Sequence, residues 1–188
     1  RRGDHGGLIF KYGGFVMKKM LKIVFALSLV FVMTFSFAAC SDKENYTAVI
    51  DIENYGKITL TLDADAAPKT VDNFVKLAKS GFYDGLTFHR IMEGFMMQGG
   101  DPEGTGMGGP GFTIKGEFTS NGFKNDLKHE RGVISMARQG ENPYTGEKNY
   151  DSAGSQFFIM VEDYPSLNEQ YASFGKVISG MEVADAIV

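Results

Sequence analysis

The sequence predicts a mostly β fold carrying two helices. Three observations lead there. Apolar residues alternate with polar ones in short runs, as in Ile58, Leu60 and Leu62, which is the period of a half-buried strand. Glycines break up the apolar stretch Phe88–Asp101 at Gly94, Gly99 and Gly100, and each costs a helix interior about 1 kcal/mol relative to alanine. Before Gly180 only one segment keeps a helical stripe, at Val71, Phe74, Val75 and Ala78, matching the i, i+3, i+4, i+7 pattern.

From the N-terminus, residues 1–16 contain no methionine, and Met17 is the first possible start. Residues 1–16 are therefore set aside as an upstream extension. Residues 17–39 have the layout of an export signal: Lys18, Lys19 and Lys22, then uncharged, mostly apolar Ile23–Ala39, as a charged n-region and an apolar h-region require. Phe37-Ala38-Ala39-Cys40 resembles the bacterial lipoprotein signal, in which the cysteine is lipidated and becomes the new N-terminus. The expectation is a lipoprotein anchored to the bacterial cell envelope through Cys40, with residues 40–45 as its tether and facing outside the cytoplasm.

The remainder, residues 46–188, reads as one domain. Tyr46–Ile52 and Lys57–Leu62 form a hairpin about Glu53-Asn54-Tyr55-Gly56. Pro68 opens the helix and Gly81 stops it, since proline suits the first helical turn and glycine the position past the end. Phe88–Asp101 holds two short strands turned about Glu93-Gly94. Alternation after that turn puts Met96 and Gln98 on one face and Phe95 and Met97 on the other, unless a bulge at the turn shifts the count. Phe112-Thr113-Ile114, Gly132–Ala137, Gly154–Val161 and Ser173–Ile178 read as further strands, and Met181–Val188 begins a second helix.

Charge narrows the function classes. Residues 1–39 hold six of the nineteen Lys+Arg and one of the twenty-three Asp+Glu, leaving Cys40–Val188 with a net charge of −9. An acidic domain is a poor partner for a phosphate backbone, so no nucleic acid is expected. Cys40 is the only cysteine, which rules out an internal disulfide. The glycine-rich run Gly104–Gly111 precedes a strand-like segment rather than a helix, so it lacks the helix N-terminus that a phosphate cradle needs. Met92, Met96, Met97 and Met107 read as adaptable packing rather than a copper site. No metal or cofactor is expected. His89, beside Arg90, reads as a packed, hydrogen-bonded histidine. Ser155 lacks the strand–turn–helix setting of a hydrolase nucleophile.

Phe88-His89-Arg90, Gly94-Phe95-Met96-Met97-Gln98-Gly99-Gly100-Asp101, Gly154-Ser155-Gln156-Phe157-Phe158-Ile159 and Phe174-Gly175-Lys176-Val177 together resemble the cyclophilin family of peptidyl-prolyl cis-trans isomerases. The likeness runs from Tyr46 to Val188. It implies a closed eight-stranded antiparallel barrel capped by two helices, with a final strand after the last helix that pairs with the first. The sequence stops at Val188 before that strand, so the expectation is either a fragment or a barrel with an open edge. It implies Arg90 as the catalytic residue, with Phe95, Met96, Phe158 and Leu167 as the proline pocket. Gln98 and Gln156 correspond to the polar rim, and Ala137 and Arg138 to the strand whose backbone holds the peptide. Tyr171 stands where many eukaryotic members carry histidine, and Ser166 where drug-sensitive members carry tryptophan.

The substrates so implied are proline-containing peptides and unfolded exported proteins, met by a domain that is a monomer when complete. Rotation about an X-Pro bond breaks no bond, so it needs no nucleophile; the enzyme must bind the twisted amide more tightly than either planar form. A peptide-binding chaperone module on the same fold, with little turnover, is the alternative.

Overall fold

The computed structural model describes residues 46–188; the upstream extension, signal segment, Cys40 and tether expected over residues 1–45 lie outside the described residues. Seven strands and two helices follow in the order β1 (Tyr46–Ile52), β2 (Gly56–Leu62), α1 (Pro68–Lys79), β3 (Arg90–Met92), β4 (Met96–Gly99), β5 (Val133–Met136), β6 (Phe157–Met160), β7 (Ser173–Ser179) and α2 (Met181–Ile187). All pair antiparallel in one curled sheet of order β1-β2-β7-β5-β6-β4-β3. β1 and β3 end the sheet, so each leaves one edge unpaired among the described residues. The arrangement is a seven-stranded half-barrel rather than a closed eight-stranded barrel, because no described segment pairs with the outer edge of β1. No helix among the described residues is long and apolar enough to cross a membrane.

The period-2 alternation of a strand explains why the sheet has two apolar faces where β4, β5 and β6 meet. Met97, Ile134, Met136 and Ile159 point into the main core with Ile58, Leu60, Leu62 and Phe174. Their neighbours Met96, Val133, Phe158 and Met160 point the other way and form a second cluster. Register holds the two sets together: Met96 faces Met160 and Gln98 faces Phe158 across β4 and β6. The second cluster is the floor of the cleft described below.

Helix α1 covers the main core through Val71 and Phe74, whose ring meets Tyr83, Phe157 and Phe174 at centroid distances of 5.1, 5.5 and 5.3 Å. Its buried stripe is Thr70, Val71, Asn73, Phe74 and Leu77. Ala78 is exposed and Val75 only half-buried, so the stripe is rotated from the one read in the sequence, with Leu77 taking the place of Ala78. Ala67, at the N-cap, supplies no side-chain cap. The buried Glu117 carboxylate does so instead, accepting N–H bonds from Lys69 (3.1 Å) and Thr70 (2.8 Å) and the Thr70 hydroxyl (2.9 Å). Unsatisfied N–H groups and the positive end of the helix dipole make this a favourable place for a carboxylate.

Phe112-Thr113-Ile114 forms no strand; only Ile114 bridges, to Ala153. β-prone residues without a neighbouring strand to pair with stay irregular. β6 is likewise shorter than Gly154–Val161, since Asn73 Nδ2 takes the Gly154 carbonyl out of the ladder (2.8 Å).

Candidate functional site

The turn between β3 and β4 sets the geometry of the site. Gly94 has φ +66° and the Phe95 N–H donates to the Met92 carbonyl at 3.1 Å, a four-residue turn about Glu93-Gly94 that needs a residue tolerant of positive φ. The strands then pair with Arg90 opposite Gln98. Phe95 lies in the turn, outside the alternation, and packs with Met96 in the second cluster rather than on the opposite face. Its ring contacts Tyr164 at 4.4 Å.

Arg90 is exposed, yet its guanidinium is held. One terminal nitrogen donates to Gln98 Oε1 (3.3 Å) and the other to Met92 Sδ (3.0 Å). Gln98 Nε2 donates to Gln156 Oε1 (2.9 Å). Gln156 Nε2 in turn donates to the Gly106 (3.0 Å) and Gly108 (2.8 Å) carbonyls. The chain of amides therefore runs from the 103–108 loop to Arg90.

That loop is fixed by Asp101, a buried carboxylate that accepts N–H bonds from Glu103 (2.8 Å) and Gly106 (2.5 Å). Burial pushes its pKa up, but the N–H groups of Glu103, Gly106 and Gly108 and the nearby His89 outweigh burial, and the net shift is downward. Gly100, with φ +84°, lets the chain pass against the Ser155 carbonyl where a Cβ would collide. Ser155 Oγ then donates to the Gly100 carbonyl at 2.7 Å, tying β4 to the segment before β6.

These elements enclose an open cleft of about 440 Å³. Arg90, Phe95, Met96 and Gln98 line it from the hairpin, Ala137 and Arg138 from the end of β5, and Phe158, Leu167 and Tyr171 from the other wall. Leu167 stands there on the single-turn 3-10 helix Pro165–Leu167. Gln156 is not on the lining; it stands behind Gln98, with both amide hydrogens committed to the loop. His89, Gly104, Thr105 and Gly106 also line the cleft, a contribution that sequence reasoning missed. The pairing of His89 with Arg90 in sequence was the available signal. The loop residues gave none, since no periodicity places them.

His89 departs from the sequence expectation. Both ring nitrogens are buried without a hydrogen-bond partner among the described residues. The ring lies beside Gly106 of the 103–108 loop, where a Cβ would stand 3.9 Å from its Nε2. A different histidine, His129, has the paired environment. Its Nδ1 lies 3.2 Å from Asn168 Oδ1 and its Nε2 3.0 Å from Ser135 Oγ. Its ring lies behind Phe158 at 6.1 Å, nearly parallel to it.

Chemically the cleft offers an apolar floor, a fixed guanidinium at one lip, and a strand end at the other. The Ala137 N–H is used by the Gln156 carbonyl (2.9 Å), while the Arg138 N–H enters no backbone hydrogen bond among the described residues. Such a site takes an extended peptide with a small apolar ring. Among the described residues no cluster of three His, Cys, Asp or Glu side chains could hold a metal.

Comparison with known proteins places this geometry in context. The family described as cyclophilin type peptidyl-prolyl cis-trans isomerase/CLD matches residues 47–188. Over 133 residues the chain is 51% identical to peptidyl-prolyl cis-trans isomerase B of Bacillus subtilis, spanning 71% of this chain and 84% of that protein. Over 136 residues it is 48% identical to a peptidyl-prolyl cis-trans isomerase of Helicobacter pylori, spanning 71% and 76%. A Cryptosporidium parvum cyclophilin type peptidyl-prolyl cis-trans isomerase, solved in the presence of the dipeptide Ala-Pro, matches with a TM-score of 0.64. Identity there is 36%, over 75% of this chain and 84% of that one.

Proposed function

The chain belongs to the cyclophilin-type peptidyl-prolyl cis-trans isomerase family, and from that premise we propose that Arg90 drives rotation about X-Pro bonds in peptides held across the cleft. The observation that carries this is a guanidinium fixed over an apolar floor. Arg90 spends two of its five N–H groups on Gln98 and Met92, which leaves three without a partner among the described residues at the cleft it lines. The peptide bond resists rotation by about 18–20 kcal/mol because of its partial double-bond character. In the twisted amide resonance is lost, and the prolyl nitrogen becomes a hydrogen-bond acceptor. Arg90 donates to that nitrogen. Phe95, Met96, Phe158 and Leu167 hold the ring, Gln98 holds a flanking carbonyl, and the backbone at Ala137 and Arg138 aligns the chain. An acceleration of about 10⁴ corresponds to about 5.5 kcal/mol of tighter binding in the twisted state. Charge-assisted hydrogen bonds to fixed donors supply energies of that order.

The substrates are proline-containing segments of proteins folding after export, and the enzyme works outside the cytoplasm, anchored by lipid on Cys40. Supporting this reading are the Lys18-Lys19 n-region, the apolar Ile23–Ala39 and the single cysteine at its end. One lipid chain binds marginally, whereas two or more anchor stably. An eighth strand along the free edge of β1 closes the barrel.

The test of activity is exchange of a capped X-Pro peptide, followed by magnetisation transfer with and without the protein; no acceleration overturns the isomerase reading. Mass spectrometry of the mature N-terminus tests location: a lipid-modified Cys40 is expected, and an unmodified or uncleaved terminus removes the anchor. Slow amide exchange along the outer edge of β1 is expected in a closed barrel, and fast exchange there means the edge is open.

A further inference from the structure

Arg138 lines the cleft, and the isomerase reading uses only its backbone. Its Nε donates to the Gln170 carbonyl at 3.0 Å and one terminal nitrogen to the Gln139 carbonyl at 2.9 Å. The guanidinium carbon lies 4.6 Å from the centre of the Tyr171 ring, 5.1 Å from Tyr150 and 5.6 Å from Phe118. Two carbonyls and three aromatic faces thus fix a cation that would otherwise sweep through many rotamers. Three of its five N–H groups remain unengaged among the described residues.

No carboxylate neutralises it. The ion pairs found among the described residues lie elsewhere, and Arg131 shows what a satisfied arginine looks like here, with one nitrogen on both oxygens of Asp185 (2.8 and 2.6 Å). Arg90 is likewise without an ion pair among the described residues. In a domain of net charge −9, both arginines of the cleft are left uncompensated. The lysines without an ion pair among the described residues, such as Lys69, Lys115 and Lys128, are exposed. Arg138 is half-buried and held, and a held guanidinium with spare donors is a ready receptor for a carboxylate, because little entropy is lost when the partner arrives.

We propose that the Arg138 side chain forms an acidic-residue subsite, so that the enzyme prefers X-Pro segments carrying Asp or Glu within two residues of the proline. The proposal rests on the isomerase reading of the cleft. Aromatic faces cover part of the guanidinium and leave its edge for in-plane N–H···O bonds to the incoming carboxylate.

The experiment compares kcat/KM for acetylated, amidated Ala-Ala-Pro-Ala-Ala peptides with one Glu moved through the two positions before and the two after the proline. Capping both ends leaves the side chain as the only carboxylate. Wild type is expected to favour Glu over Ala by about 2- to 5-fold at one position in low salt, the range of a half-exposed ion pair. That ratio should fall in 0.5 M salt, collapse to about 1 in Arg138→Gln, and stay above 1 in Arg138→Lys, which keeps the charge. Because each value is a ratio within one variant, a general loss of activity in Arg138→Gln does not blur it. Turnover of the all-alanine peptide reports the isomerase separately from the subsite. A wild-type ratio of 1 at all four positions, or a ratio that survives Arg138→Gln, overturns the proposal.

Discussion

Gln98 Nε2 donates to Gln156 Oε1 over 2.9 Å, and this contact fixes the direction of every amide at the rim. Gln156 has no freedom to turn over. Its Nε2 feeds two carbonyls, those of Gly106 and Gly108, and a flipped amide would set oxygen against oxygen twice. Gln156 Oε1 therefore faces Gln98, Gln98 must present its own Oε1 to Arg90, and Arg90 is held at the cleft it lines.

Removing Gln156 should act at a distance. Gln156→Leu keeps the bulk, strands the Gly106 and Gly108 carbonyls, and releases Gln98 to turn. A fall in kcat/KM of about 5- to 20-fold is expected, that is about 1–2 kcal/mol of lost positioning, with the far-ultraviolet spectrum unchanged. The effect should lie mostly in kcat, since Gln156 stands behind Gln98 and off the cleft lining. An effect confined to KM would place Gln156 on the peptide after all.

Arg90→Ala is expected to lower turnover by about one to three orders of magnitude, the cost of a charge-assisted hydrogen bond made chiefly in the twisted state. Arg90→Lys should recover only part of it. Lysine carries the charge but lacks the fork that lets one guanidinium bond Gln98, Met92 and the prolyl nitrogen together. Exchange rates measured on the same peptide for all three proteins decide this. Equal rates in Arg90→Ala and wild type would remove Arg90 from the mechanism.

How much of this was legible in the sequence depended on whether a residue obeys a period or a partner. β2 read correctly because polar and apolar residues alternate along it, and β1 because a turn-prone segment joins it to β2 as a hairpin. The hairpin of β3 and β4 read correctly because glycine excludes a helix there. Phe95 was misplaced because alternation does not run through a turn, and Phe112–Ile114 because β-prone side chains pair only where a neighbouring strand offers an edge. The cleft residues on the hairpin, Ala137, Arg138, Phe158, Leu167 and Tyr171 came from motif likeness, since their contact spans up to 81 positions of sequence. The position of Gln156 behind the rim, and the loop carbonyls that hold it there, depend on an irregular segment that no pattern encodes. The Glu117 cap of α1 was invisible for the same reason: the carboxylate and the helix start are 47 residues apart.

That cap gives a stability prediction free of the active site. Glu117 is buried and accepts three hydrogen bonds, two of them from helix N–H groups. Glu117→Ala leaves those donors and the Thr70 hydroxyl without a partner in a dry place, at a cost of about 1–3 kcal/mol. Urea melts should show a lower midpoint with an unchanged slope, while Arg90 and its partners keep their activity below the transition. A midpoint within error of wild type would mean that water reaches the helix start.

His129 supplies a pH dependence whose sign is fixed by its surroundings. Burial lowers its pKa from the ordinary 6.5, and the hydrogen bond with Asn168 only partly opposes this. Asn168 Oδ1 can only accept, so Nδ1 carries the proton and Nε2 accepts from the Ser135 hydroxyl. The folded protein thus prefers the neutral ring, whereas the unfolded chain takes up a proton near pH 6.5. Below that value the unfolded state binds more protons than the folded one, and stability rises with pH. The contribution of His129 is complete above about pH 7 and is lost as pH falls through 6.5 toward the lowered folded value. Denaturation free energy measured from pH 7.5 to 5.0 should therefore decline in wild type. The decline should be shallower in His129→Gln, whose amide still bonds Ser135 but cannot titrate. Since the ring lies behind Phe158, acidification should also loosen the floor of the cleft and raise KM before the protein unfolds. A stability profile with the same slope in both proteins would show that His129 takes up its proton equally well in the folded and unfolded states.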